Sequence, residues 1–291
     1  MTGNRDQKPE VAFGALGSEL RLRILQTLEL EAREAERGLT FSELYDRIDV
    51  ESTSQLSYHL GQLDGAFVRK FDGSYRLTQT GERVVRTVYA GTYTDRPSFE
   101  ATRVDGVCPH CDDTELVAAF EDPFLALTCR ACDGVVARYD LPPAQAADRS
   151  PHEILRSCDR RVFHELGMAL EGTCPTCGGV MDASTRSRDE PRSDEYAVVA
   201  SCRRCFNQVY APVELCVFYH PALVAAYWER GRDATQVRPW EVYTHTREWN
   251  LEVVSEEPFE ATVETDVGDD VFTVTVTEGA LAIDAETMTE T

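Results

Sequence analysis

Four pairs of cysteines, each with two residues between its members, constrain this chain more than any other feature of its sequence. Seventeen residues separate the first two pairs and 24 residues separate the last two, so the pairs form two quartets. Two such pairs can place four thiolates at the corners of a tetrahedron around one metal ion. The sequence therefore predicts two structural Zn²⁺ sites, with the ligands Cys108, Cys111, Cys129 and Cys132 in the first and Cys174, Cys177, Cys202 and Cys205 in the second.

All eight predicted ligands are cysteine, which leaves no coordination position for water and favours a structural metal over a catalytic one. Residues 115–120 and 196–201, between the pairs, have the character of strands, so each quartet resembles a zinc ribbon. The shared pattern Cys-Pro-x-Cys and then Cys-Arg-x-Cys indicates an internal duplication. Thiol–disulfide redox chemistry is the alternative use of such pairs. Cys158, and Cys216 in the strand-like run 213–218, are predicted to be core residues.

The first 90 residues show helical spacing of their apolar side chains. Between Val11 and Leu30 the spacing of three and four predicts a short helix, a break near Gly17, and a longer helix. A third helix is expected over 41–48. A fourth is expected over 52–63, because Ser52-Thr53-Ser54-Gln55 matches a capping box, in which a hydroxyl and an amide side chain bind exposed backbone amides reciprocally.

A hairpin is predicted after the fourth helix. Two strand-like runs within 67–77 flank Asp72-Gly73-Ser74, residues that are typical of a tight turn. Residues 78–88 then have the spacing of a closing helix.

The segments GALGSELRLRILQTL, FSELYDRI, LSYHLGQLDGAFVRK and DGSYRLTQTGERV follow in this order within residues 10–88. In them the chain resembles the ArsR-type winged helix-turn-helix transcriptional regulators. The resemblance implies a homodimer that binds double-stranded DNA, with its recognition helices in successive major grooves. It does not imply sensing of arsenic or cadmium, because metal-sensing members carry cysteines in the third helix and no cysteine precedes Cys108 here.

The fourth helix and the hairpin, or wing, are the predicted DNA-reading elements. Short hydroxyls, amides and an aromatic ring suit contacts with base edges and phosphates, and the wing carries the densest basic group of the half-chain. Residues 52–63 contain no Lys or Arg, which favours the alternative that the winged helix contacts protein instead. The predicted DNA-binding residues are Ser52, Thr53, Ser54, Gln55, Ser57, Tyr58, Gln62, Arg69, Lys70, Tyr75 and Arg76.

The net charge of −22 is unusual for a DNA-binding protein, because Lys and Arg neutralise phosphates. Residues 1–90 hold 14 acidic and 12 basic side chains, whereas residues 91–291 hold 37 and 17. The excess of acid therefore lies mainly outside the predicted DNA reader. The chain has two lysines, and this acid-rich, lysine-poor composition resembles that of proteins from salt-loving archaea, where high charge maintains hydration.

The last part of the chain is predicted to be a small α+β module. Helices are expected over 220–230 and 239–246, strands over 251–254, 259–265 and 270–277, with a turn at 268–270, and a frayed end from about residue 284. The aromatic residues there, Trp228, Trp240, Tyr243 and Trp249, are expected either to form core or to line an effector pocket.

The predicted fold class is therefore α+β, in four parts. These are a winged helix-turn-helix over 1–90, a first zinc ribbon over 91–148, a helix plus a second zinc ribbon over 149–219, and the α+β module over 220–291.

The expected function is transcription regulation through DNA, with the zinc-ribbon half serving in dimerisation or in binding a protein partner or effector. The alternative is a zinc-ribbon adaptor between proteins, whose winged helix does not bind DNA. A catalytic role is the least expected, because no phosphate loop, GxSxG or HExxH motif occurs. No apolar run of about 18 residues and no secretory-type start occur, so we expect a cytoplasmic protein without a membrane partner.

Overall fold

The computed structural model of the chain describes residues 8–35, 37–187, 196–247, 249–268, 270–277 and 285–288. Over these residues the fold is a mixture of α and β, with ten α-helices and four antiparallel sheets, which confirms the predicted class. None of the described helices is long and apolar enough to cross a membrane. The chain forms two compact units, Met1–Pro97 with Pro142–Ala144, and Ser98–Leu141 with Gln145–Thr291. The finer division within the second unit stays a prediction.

The first unit is built around a core of leucine and isoleucine side chains. Leu25 and Leu28 of the second helix pack with Leu56 and Leu60 of the fourth, all of them buried. The break near Gly17 and the five predicted helices are confirmed. The elements are α1 (Pro9–Leu16), α2 (Glu19–Ala35), β1 (Leu39–Thr40), α3 (Phe41–Arg47), α4 (Thr53–Leu63), β2 (Val68–Phe71), β3 (Ser74–Leu77) and α5 (Gln79–Tyr89).

The starts of α3 and α4 are fixed by side-chain caps. Thr40 and Glu43 form a reciprocal capping box at α3. At α4 the Ser52 hydroxyl accepts a hydrogen bond from the Gln55 amide at 3.2 Å. The Gln55 side chain, however, accepts from the backbone amide of Glu51 at 2.8 Å rather than from that of Ser52. The predicted cap is therefore present, but its second hydrogen bond lies one residue earlier.

The predicted hairpin is β2–β3, and its turn is shorter than expected. Asp72 and Gly73 both have positive φ, 46° and 75°, as a two-residue hairpin turn requires, and Ser74 already belongs to β3. The sequence did not predict β1, which pairs with the other side of β3. A Cβ on Gly38 would lie 2.5 Å from the Tyr75 carbonyl oxygen, so this pairing needs glycine next to the strand.

The second unit begins with a four-stranded sheet in the order β4-β5-β6-β7. Its buried face packs against the long helix that follows, where Ile154, Leu155 and Cys158 are almost fully buried. Cys158 is thus a core residue, as predicted. The elements are β4 (Thr102–Val104), β5 (Leu116–Glu121), β6 (Phe124–Cys129), β7 (Val135–Asp140) and α7 (Pro151–Leu170). Between β7 and α7 in the sequence lies a short helix, α6 (Pro143–Ala146), of which Pro143 and Ala144 belong to the first unit.

The second sheet has three strands in the order β10-β9-β8 and shares its core with the elements after it. Val198 and Ala211 of this sheet pack with residues of the following helices and of the last sheet. The elements are β8 (Met181–Ser187), β9 (Tyr196–Cys202), β10 (Gln208–Pro212), α8 (Val213–Phe218), α9 (Pro221–Glu229), one turn of 3-10 helix (Ala234–Gln236) and α10 (Pro239–Thr246).

The last sheet has the order β11-β12-β13-β14 and includes the three predicted strands. Its elements are β11 (Asn250–Glu256), β12 (Phe259–Val267), β13 (Asp270–Thr277) and β14 (Ala285–Met288).

Two predictions in this part of the chain were wrong. Residues 213–218 form helix α8 rather than a strand, because a short apolar run buried on several sides fits either structure. Cys216 is nevertheless fully buried, as predicted. Residues 285–288 pair with β13 instead of fraying. A turn was predicted at 268–270. Asp270 is the first residue of β13, and Asp269 lies outside the described residues.

Two helical glycines of the first unit are predicted to respond oppositely to alanine. A Cβ on Gly81 of α5 would lie 2.2 Å from the Phe67 carbonyl oxygen, whereas no heavy atom lies within 4 Å of one on Gly61 of α4. We expect Gly81→Ala to lower the free energy of unfolding of this unit by about 1–3 kcal/mol. Gly61→Ala should raise it by up to about 1 kcal/mol. Urea unfolding followed by circular dichroism measures the change in the free energy of unfolding for each variant. Equal changes in the two variants would contradict the close packing at Gly81.

The half-buried carboxyl of Asp159 on α7 should make stability depend on pH. Burial raises its pKa to about 7, an effect opposed by Arg238 and reinforced by Glu241. The pKa of this carboxyl is higher in the folded state than its unfolded value near 4, so the folded state binds more protons. Its contribution to stability therefore declines as pH rises from about 4 to about 7.

We therefore expect the stability gained by Asp159→Asn to be about 1–2 kcal/mol larger at pH 8.5 than at pH 5.5. Urea titrations of both proteins at the two pH values measure this difference. A gain that is the same at both would show that Asp159 titrates normally.

Candidate functional site

Each cysteine pair lies on a turn of the same backbone geometry. In all four turns the amide of the first cysteine donates to the carbonyl five residues later, as from Cys108 to Asp113 at 2.8 Å and from Cys202 to Asn207 at 2.8 Å. The residue after the second cysteine has a positive φ in each turn. These residues are Asp112 (63°), Asp133 (56°), Gly178 (72°) and Phe206 (60°). All four turns share this geometry, so it does not distinguish corresponding pairs, and the internal duplication stays a prediction.

The turns bring the eight predicted ligands together in two groups of four, each with its Sγ atoms within 4.8 Å of one another. In the first group Cys108 Sγ lies 3.8 Å from Cys132 Sγ, and Cys111 Sγ lies 3.7 Å from Cys129 Sγ. In the second group the corresponding distances are 3.6 Å for Cys174–Cys205 and 3.5 Å for Cys177–Cys202.

These distances fit a shared metal ion and exclude disulfides. The edge of a tetrahedron with metal–sulfur bonds of about 2.3 Å is about 3.8 Å, close to the separations in both groups. A disulfide would need about 2.05 Å, and all ten cysteines are free. Each group could therefore hold one metal ion.

Backbone amides around the sulfurs favour the thiolate form that binds metals. The amides of Cys205 and Arg204 lower the pKa of Cys202 to about 6, and the Arg204 amide lies 3.4 Å from its Sγ. Glycine allows a similar approach at Cys177, where the Gly179 amide lies 3.3 Å from Sγ. A Cβ on Gly179 would lie 3.1 Å from Cys177 Sγ and 3.2 Å from Cys202 Sγ. Burial acts in the opposite direction at Cys108 and raises its pKa to about 12.

The predicted reading face of α4 is exposed and forms one side of an open groove. Tyr58 is 61% exposed. Ser52 and Gln55 are engaged in the cap described above, and Gln55 is half-buried. His59 is half-buried, and burial lowers its pKa. The groove is lined by Phe41, Thr53, Ser54, Ser57, Tyr58, Gly61 and Gln62.

The hairpin places its cations together. Arg69 of β2 lies directly opposite Arg76 of β3, and both side chains are exposed. Lys70 lies over the ring of half-buried Tyr75, with Nζ 5.3 Å from the centroid. Among the described residues no carboxylate lies within 4.0 Å of these three cations. The hairpin is therefore a small positive surface, with three cations against the single acidic residue Asp72 of its turn, and its cations form no ion pair among the described residues.

A cavity in the second unit was not located by sequence reasoning. Of the aromatic residues that suggested a pocket, Trp240 and Tyr243 line it, whereas Trp228 is 67% exposed and Trp249 packs against the core. Its other aromatic residues, Tyr139 and Tyr210, come from strands of two different sheets. Residues that lie far apart in the sequence form this cavity, so the spacing of residues within one segment does not predict it.

The number of bound metal ions tests the two cysteine groups. We expect the purified chain to carry two metal ions and Cys129→Ser to carry one, because three thiolates and a hydroxyl hold a soft ion weakly. Native mass spectrometry counts the ions and identifies the metal from its mass. Cys158→Ala, which removes a buried thiol outside both groups, is the matched control and should retain two ions. Two ions on Cys129→Ser would contradict the assignment.

Two family models match the chain. Residues 9–88 match a domain of unknown function, DUF7347, and residues 105–281 match a second one, DUF7351. No curated protein and no solved structure matches. The second match spans more than half of the chain and contains both cysteine groups. The chain therefore belongs to the DUF7351 family.

Proposed function

We propose that the chain is a transcriptional regulator that binds double-stranded DNA through a winged helix-turn-helix of the ArsR-like type. In this proposal α4 with its cap, together residues 52–63, enters the major groove and the hairpin at residues 67–77 is the wing. The observation that carries the proposal is the positive hairpin, whose three cations form no ion pair among the described residues and which follows directly after a helix with an exposed polar face.

The placement of Arg69 opposite Arg76 supports an anionic partner. Like charges directly opposite each other on paired strands destabilise a sheet unless a counter-charge lies between them. The chain has 51 acidic residues that could supply such a charge, yet none of the described ones pairs with these arginines. Lys70, one of two lysines in the chain, adds to the same surface. A phosphate backbone would supply the missing counter-charge.

The groove along α4 supports base reading. Ser54, Ser57 and Gln62 offer both donors and acceptors, and Tyr58 adds an exposed ring. Such groups suit base edges in the major groove. Because α4 has no Lys or Arg, most phosphate contacts would come from the wing, and affinity should be modest.

We further propose that the two cysteine groups are structural Zn²⁺ sites of zinc-ribbon type. Four thiolates and no open position are typical of structural zinc, and such thiolates persist in a reducing cytoplasm. The second unit would then serve in homodimerisation or in binding a protein partner or effector.

A zinc-ribbon adaptor is the second candidate function. The uncharged α4 favours it, since a helix of hydroxyl, amide and aromatic side chains also suits a protein contact. In that case the first unit would bind another protein rather than DNA.

Alanine substitutions on the wing test the DNA proposal. We expect the Arg69→Ala/Arg76→Ala double variant to bind DNA from the chain's own upstream region at least about tenfold more weakly. The slope of log affinity against log salt should also fall by about two, because two phosphate contacts are lost. Fluorescence anisotropy at several KCl concentrations measures both quantities. Arg160→Ala, at an exposed position of α7, is the matched control and should bind normally.

Base reading is tested separately from phosphate binding. Ser54→Ala/Ser57→Ala should lower the preference for the upstream region over scrambled DNA while leaving the salt slope unchanged. Absence of selective binding by the wild-type protein at every salt concentration would refute the DNA proposal and favour the adaptor.

A further inference from the structure

The last turn of the second cysteine group carries an aromatic residue in a conformation that is rare for it. Phe206 has a φ of 60°, in the left-handed region that bulky side chains seldom adopt. At the same place the other three turns have aspartate or glycine, which adopt this conformation more readily. The Phe206 ring is 82% exposed, so packing within the chain does not account for it. A strained, exposed aromatic residue is a candidate contact for a partner.

Phe206 is one of three exposed apolar side chains on adjoining segments of backbone. Val180 is 56% exposed, and Met168 in the last turn of α7 is 40% exposed. The Thr173 amide donates to the Met168 carbonyl oxygen at 2.9 Å, and Thr173 also pairs with Val180. On the other side of Val180, its carbonyl oxygen accepts from the Arg203 amide at 3.0 Å. We call Met168, Val180 and Phe206 the tip patch. Single exposed apolar residues are common, whereas neighbouring ones mark interaction sites.

The tip patch has a cation at one end and an anion at the other. Arg204 lies at the end of Phe206, where a Cβ on Gly179 would be 3.4 Å from the Arg204 Cβ. Glu171 lies at the other end, directly after α7 and three residues after Met168. Both charged side chains are exposed, and within the described part of the chain neither has an ion-pair partner within 4.0 Å.

We propose that the tip patch is an isologous interface between two copies of this chain. In a two-fold dimer the same surface of both copies meets in reverse order. A two-fold axis near Val180 would place Phe206 against Met168 of the second copy, a favourable contact between an aromatic ring and a thioether. The same axis would place Arg204 beside Glu171 of the second copy, and each of these contacts would occur twice.

The distribution of charge favours a second copy over other partners. Residues 91–291 hold 37 acidic and 17 basic side chains, so most of this region repels phosphate as well as another copy of itself. The tip patch has one charge of each sign, so two copies can meet there without net repulsion. A different acidic protein would attract Arg204 but repel Glu171. The interface rests on the homodimer that we propose for the second unit, and it gives that dimer a contact surface.

Photo-crosslinking tests this contact on the full-length, metal-loaded protein. The photoreactive residue p-benzoylphenylalanine replaces Phe206, and unlabelled copies are mixed with ¹⁵N-labelled ones. We expect mass spectrometry to find cross-links to Met168 in peptide pairs of mixed label, which join two copies. Cross-links confined to one copy, or mixed-label cross-links that reach neither Met168 nor Val180, would overturn the proposal. A dimer held only through the first unit would not give the expected cross-link.

Charge reversal tests the orientation of the two copies. Arg204→Glu and Glu171→Arg, each made in the photoreactive protein, should lower the dimer affinity at least about tenfold, because each places like charges opposite one another twice. An equal mixture of the two variants should restore the affinity, since opposite charges then meet at both ends. Cross-link yield over a titration of protein concentration measures the affinity, and native mass spectrometry confirms two metal ions per chain. Failure of the mixture to recover would overturn the proposed orientation.

A pair of valines supplies the matched control. Val180→Asp should weaken the dimer at least about tenfold, because it places two carboxylates on the axis. Val254→Asp, at a comparably exposed position of β11, should leave the cross-link yield unchanged. Equal yields in the two variants would overturn the proposal. The wing is unchanged in all these proteins, so DNA binding is measured separately, and its failure is distinguishable from failure of this interface.

Discussion

In each of the two cysteine groups, four sulfurs converge on one point, and the second unit depends on this constraint. In each group one cysteine pair precedes a strand and the other begins at the last residue of the next strand, Cys129 of β6 or Cys202 of β9. A metal ion bound by both pairs would therefore fix the register of the hairpin between them. Sheets of three or four strands bury little apolar surface by themselves, so bound metal would supply much of their stability. The core that surrounds the second hairpin continues through α8, α9 and β12, and loss of the second ion should disturb these elements as well.

The features that local chemistry determines could be predicted from the sequence. The cysteine spacing predicted both ligand groups, and the caps at Thr40 and Ser52 marked the helix starts to within one residue. Features that depend on distant contacts could not be predicted. Residues 213–218 form a helix because several elements bury them, and β1 exists through pairing with β3, which follows it only after two helices and a strand. β14 depends on pairing with the preceding strand, β13, which its own polar sequence does not indicate. The cavity needs residues from five separate elements, so only its aromatic content left a signal.

The charge of the chain changes close to the boundary between its two units. Residues 1–90 are almost neutral and carry a positive hairpin, whereas residues 91–291 hold 37 acidic and 17 basic side chains. An acidic second unit repels DNA, which would leave the wing and α4 as the surface that can approach a phosphate backbone.

Hydrogen exchange before and after removal of the metal ions tests the dependence of the second unit on its thiolate sites most directly. Cys111, Cys177 and Cys205 are exposed, so a chelator can reach both groups. We expect metal removal to abolish the protection of amides in β5, β6, β8 and β9 while those in α2 and α5 of the first unit keep theirs, because local protection reflects local stability. Unchanged protection of the four strands in metal-free protein would contradict this dependence.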